Sequence, residues 1–138
     1  MKKLIAAIVA LAIFAPAAVA ASQSLKVTPG KVAAGKTVTV SGSVGSGCQT
    51  GQTGDTAIII SRAFKGAKHA GTFAGVPSES ISLANSSNGS FSTKIKLAKK
   101  LKAHKYTITG RCGGGNFGST PLRVTKPAAN NGGLPGEY

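Results

Sequence analysis

Apolar and polar residues alternate along most of this chain, in short runs separated by glycine, proline and asparagine. A period of two puts successive side chains on opposite faces of an extended strand, so each run predicts a strand with one face in a core. Ser24–Thr28 aligns Leu25 and Val27, and Pro29-Gly30 breaks it. Residues 31–35 read as the lead into a longer run over 36–44. There Val38, Val40 and Val44 share a face and Thr37, Thr39, Ser41 and Ser43 share the other, as in a half-buried antiparallel strand. Residues 45–54 read as a polar loop carrying Cys48. Ala57, Ile58, Ile59 and Ile60, within 55–64, form a continuous apolar run that suits a strand covered on much of both faces. Residues 65–76 hold Gly66, Gly71 and Gly75 with no sustained period and read as a mobile excursion, whereas 79–83 aligns Ile81 and Leu83. Asn88-Gly89 then signals a hairpin turn.

The cleanest strand follows over 90–97, with Phe91, Thr93, Ile95 and Leu97 opposed to Ser92, Lys94 and Lys96. Residues 98–104 cross over and are too few for a stable isolated helix. Residues 106–112 turn Tyr106, Ile108 and Cys112 toward the core and Thr107, Thr109 and Arg111 outward. Residues 113–118 read as a glycine-rich loop before a final strand over 120–126 that aligns Leu122 and Val124. Residues 127–138 have no apolar period and are predicted to be a disordered tail. About seven strands with no long helix predict an all-β fold over residues 24–126, a Greek-key β-sandwich in preference to a barrel. Tryptophan is absent, so the core must be built mainly from Val, Ile and Leu.

The first residues do not belong to that pattern. Lys2 and Lys3 precede an uncharged apolar run over 4–14, and Ala18-Val19-Ala20 ends in the small residues of a cleavage site. Residues 1–20 therefore read as a signal peptide, cut after Ala20 or Ala21, and the mature chain is expected in the extracellular space or the cell envelope with no transmembrane anchor. In an exported chain two cysteines read most simply as one disulfide, here between Cys48 and Cys112. A closed loop of that length contributes about 4 kcal/mol in the chain-entropy picture. The alternatives are a reactive thiol or a metal site. A metal site needs three or four ligands, and His69 and His104 have no spacing relation to the cysteines.

Charge changes the picture more. Seventeen Lys and Arg stand against three Asp and Glu, for a formal net charge of +14. Such an imbalance favours encounters with polyanions, including anionic wall polymers and other extracellular polymers. Lys94, Lys96, Lys99, Lys100, Lys102, Lys105 and Arg111 are the candidate contacts, provided that the strands bring them to one face. Specific nucleic-acid recognition is not expected, because Phe64, Phe73, Phe91, Tyr106 and Phe117 are scattered or core-like rather than interleaved with the cations. Catalysis has little to work with: a carboxylate pair would have to use Asp55 and Glu79, and no nucleophile elbow is present. Gly113-Gly114-Gly115 is followed by no helix that could cradle phosphate. The chain is read as non-enzymatic, with no cofactor and no metal.

The stretch Val27, Pro29, Val32, Gly35, Val38, Val40 and Gly42, at these spacings, resembles the opening of bacterial immunoglobulin-like domains in secreted actinobacterial-type proteins. Asn88-Gly89-Ser90-Phe91, the spacing of Tyr106 to Cys112, and Leu122-Arg123-Val124-Thr125 match the style of their later strands. The resemblance implies an immunoglobulin-like sandwich that serves as a binding or structural module at the cell envelope. A more distant similarity, to the neocarzinostatin-type fold, implies the alternative of a small-ligand carrier. That group typically has two disulfides and an acidic balance, where this chain has two cysteines and a strongly basic one.

Overall fold

Alternation becomes strand pairing wherever an apolar face finds a partner. In the computed structural model, which describes residues 22–45, 56–66, 72–83, 89–113 and 115–127, β1 (Ser24–Thr28) pairs antiparallel with β3 (Thr37–Ser43), and β3 with β7 (Ser90–Lys96). These three make one sheet, in the order β1-β3-β7. A second sheet of six strands has the order β2-β9-β8-β4-β6-β5. Its members are β2 (Lys31–Ala33), β4 (Thr56–Ile60), β5 (Thr72–Phe73), β6 (Val76–Ser82), β8 (His104–Cys112) and β9 (Gly115–Thr125). The described residues contain no helix. The expected leader, Cys48, Asp55, His69 and the tail beyond Pro127 lie outside the described residues.

The two sheets share one core. Val27, Val38, Val40 and Ile95 come from the smaller sheet; Ala57, Ile59, Ile81, Ile108, Phe117, Leu122 and Val124 come from the larger. Ile59, Ile108 and Leu122 are fully buried, and burying such a side chain is worth about 1.5–3 kcal/mol each. This sandwich-like packing agrees with the alternating faces of the sequence.

Three expectations need correction. Residues 31–33 are a strand rather than a lead-in: β2 runs parallel to β9, with Lys31, Val32 and Ala33 opposite Arg123, Val124 and Thr125. The excursion over 65–76 ends in a tight hairpin, in which Phe73 pairs with Val76 across Ala74 and Gly75, both at positive φ. Residues 115–118 are not loop but the start of β9. The count among the described residues is therefore nine strands, not seven.

A bulge explains why residues 115–118 looked like loop. Gly110 pairs with Gly118 and Arg111 with Asn116, so Phe117 is an extra residue on β9. The bulge turns Phe117 into the core, where it meets Phe91 edge-on at 5.8 Å and 78°. Its ring lies over Gly110, whose missing side chain makes the space.

Candidate cationic face and sheet notch

Register, not sequence proximity, assembles the basic residues. Lys31 of β2 is opposite Arg123 of β9, and Arg123 is opposite Lys105 of β8. All three are exposed, and each alternates with a residue packed toward the core: Val32, Val124 and Tyr106. They form a cross-strand row on the outer face of the larger sheet. Neighbouring strands are about 4.8 Å apart, so the row spans about 10 Å. No Asp or Glu occurs in β2, β8 or β9. Like charges directly opposite each other destabilise a sheet, by a few tenths to about 1 kcal/mol per pair. Nothing in these three strands offsets that repulsion.

The residues singled out by sequence divide between the two sheets and the crossover that joins them. Lys94 and Lys96 are exposed on β7, opposite Thr39 and Thr37, and so lie on the outer face of the smaller sheet. Lys26 of β1 shares that face through its pairing with Ser41 and thence Ser92. Lys99, Lys100 and Lys102 are exposed on the crossover between β7 and β8. Only Lys105 of the set belongs to the cross-strand row. Arg111 was expected to face outward and free. It is instead half-buried: its guanidinium lies 4.5 Å from the Phe73 ring centroid, and its Nε is buried without a hydrogen-bond partner. Arg111 is thus a clamp on the β5–β6 hairpin, through a cation–π contact.

Beside the row the larger sheet is interrupted. β4 pairs with β8 only from Ile58 opposite Arg111 to Ile60 opposite Thr109, while β8 continues back to His104. The chain leaves β4 in a hydrogen-bonded turn. Ser61 N donates to Pro77 O at 3.1 Å, Phe64 N donates to Ser61 O at 3.2 Å, and Ala63 N donates to Ser61 Oγ at 3.2 Å. Beyond the turn, Phe64 bridges to Leu97 next to β7, tying the sheets together. Where β4 departs there is an open depression of about 450 Å³, bounded by Ile60, Arg62 and Val76 on one side and by residues 104–107 with Thr109 on the other. Tyr106 is held there by its hydroxyl, which donates to Lys102 O at 3.2 Å.

Sequence reasoning missed Lys31 and Arg62 as members of any site, and Arg123 was not among its candidate contacts. Their role depends on pairings between strands distant in the chain. The free edge of β8 was likewise invisible, because nothing in an alternating run tells where its neighbour stops. No family model matches the chain, and no curated protein matches it.

Proposed function

We propose that this protein is a secreted, non-enzymatic binding module of the immunoglobulin-like Greek-key type. It contacts anionic polymers of the cell envelope or the extracellular space through its basic surface. The observation that carries the reading is the Lys31, Arg123 and Lys105 row: three cations held side by side by strand register, with no carboxylate on any of their strands. A fold tolerates that repulsion when an anionic partner relieves it. The total charge of +14 adds the long-range attraction. The immunoglobulin-like assignment draws support from β1 and β2, consecutive in the chain, pairing into different sheets, and from the crossover between β3 and β4. The staple between Cys48 and Cys112 belongs to the same reading, supported by Cys112 ending β8 half-buried and by there being no free cysteine among the described residues. Export rests on the leader-like pattern of residues 1–20. No helix among the described residues is long and apolar enough to cross a membrane.

The test uses two paired-charge variants on heparin and long-chain polyphosphate resins under a salt gradient. Neutralising the row with K31T/R123T should lower the eluting salt clearly, while K94T/K96T, on the opposite sheet, should lower it much less. Three cations on a polyanion give a log–log salt slope of roughly −2 to −3 by analogy with nucleic-acid binding. Equal losses for the two pairs would reduce the interaction to net charge and remove the row as a site.

A further inference from the structure

The interruption in the larger sheet leaves main-chain groups exposed, and their direction can be worked out. Arg123 N donates to Gly30 O at 2.9 Å, on the β2 side of β9. In an antiparallel strand a residue's N–H and C=O point the same way, so Arg123 directs neither toward β8. Its partner Lys105 is then in a non-hydrogen-bonded pair with β9, and the main-chain groups of Lys105 face the β4 side. The register between β8 and β9 is continuous from His104 to Gly110, so Thr107 faces that side as well. Thr109 does too, and there the strand neighbour exists: Ile60. At Lys105 and Thr107 there is none among the described residues, because β4 has already turned away at Ser61. Two N–H donors and two C=O acceptors therefore line the depression, spaced by about 7 Å along the edge.

The side chains around this edge have a defined character. Ile60 and Val76 give an apolar wall, Thr107 and Thr109 contribute hydroxyls, and Arg62 and Lys105 place a cation on each side. Among the described residues no carboxylate lines it. We infer that the notch accepts a short extended peptide carrying acidic side chains, which pairs with β8 as an added strand in line with β4. Main-chain bonds to Lys105 and Thr107 give the peptide its affinity; alternate acidic residues beside Arg62 and Lys105 give it selectivity. An unpaired strand edge otherwise invites indiscriminate pairing, and an edge recessed between a turn and a hairpin limits access to a narrow single chain. This site is distinct from the polymer-binding row, although Lys105 lies at the border of both.

The experiment uses the intact exported protein and three capped hexapeptides. One alternates Glu and Val, one alternates Lys and Val, and one is the Glu-Val sequence with N-methyl groups on alternate amides, prepared in both registers. N-methylation keeps the charge and removes the strand's donors. Expected are binding of the Glu-Val peptide, at least tenfold weaker binding for one N-methylated register and for the Lys-Val peptide, and backbone amide NMR shifts concentrated at Lys105 and Thr107. The K31T/R123T variant should retain the peptide while leaving the polymer resins at lower salt, which separates this inference from the polymer reading. Absence of Glu-Val binding, equal binding of all charge-matched peptides, or shifts spread over the lysine-rich crossover would overturn it.

Discussion

A methyl group on Gly110 is the smallest change that should damage this fold badly. A Cβ built there lies 2.2 Å from Phe117 Cζ, and 2.5 and 2.7 Å from the adjoining ring carbons. Carbon atoms rest at about 3.5–4.0 Å, so the ring must retreat by more than 1 Å. It has little room: Phe117 is 4% exposed and meets Phe91 edge-on at 5.8 Å. Overpacking of this kind destabilises by about 1–3 kcal/mol. Disturbing the aromatic pair adds about 0.5–1.5 kcal/mol, so Gly110→Ala should lose about 1.5–4.5 kcal/mol in all. At about 4–8 °C per kcal/mol for a domain near 100 residues, the midpoint should fall by at least about 6 °C. The sign is opposite to the generic effect, since Ala in place of Gly inside a strand ordinarily stabilises by about 0.5–1 kcal/mol. Urea and thermal unfolding followed by circular dichroism would measure it, in the parent and in a Phe117→Leu background. The smaller, more pliable side chain should take back more than half of the loss. If Gly110→Ala has the same effect in both backgrounds, the ring is not what excludes the methyl, and the account of the bulge is wrong.

Four other changes follow from the same geometry. Ile108→Ala empties a fully buried site on the central strand of the larger sheet and should lose about 2–5 kcal/mol by urea titration, where a loss below 1 kcal/mol would contradict its core position. Ala74 occupies a positive-φ position (φ 51°) beside Gly75, a turn that prefers Asn-Gly; Ala74→Asn should therefore raise the unfolding midpoint by the equivalent of up to about 1 kcal/mol. Phe73→Leu removes the ring under Arg111 and should lose about 0.5–1 kcal/mol, an effect expected to shrink in an Arg111→Met background that also removes the unpaired Nε. Arg123→Thr relieves two like-charge neighbours and should stabilise slightly in low salt. That gain should vanish near 1 M NaCl, where the Debye length is about 3 Å; a gain independent of salt would point to packing instead.

Alternation in the sequence was enough to place the longer strands and to sort their faces. Val38, Val40, Ile95, Ile108, Leu122 and Val124 are all buried, and Lys94, Lys96 and Thr107 are exposed. Strands with little alternation of their own escaped. β2 has three residues and β5 two, too few to show a period, and each exists because a distant or adjacent strand offers hydrogen bonds. Gly115 and Gly118 made the start of β9 look irregular, although Phe117 between them was the anchor. The candidate site was legible only as composition. A crowd of lysines in the crossover drew attention to residues that the fold spreads over several surfaces. The in-register row needed Lys31 and Arg123, which sequence gives no reason to place side by side. Arg111 shows the converse: its alternation was read correctly, but the hairpin that covers it could not be read.

The pairing of the first and last parts of the domain also has a mechanical side. β2 and β9 run parallel, so tension applied through the two ends of the domain pulls them in opposite directions along their length. The bonds between them, including Arg123 N to Gly30 O at 2.9 Å and Ala34 N to Thr125 O at 3.3 Å, are then stretched together rather than opened one at a time. β1 lies upstream of this clamp and is the first strand to meet the force, held by its five register pairs with β3. Peeling β1 away would leave the clamp closed. Tension on the amino end could therefore take the first strand and still leave the row of cations aligned.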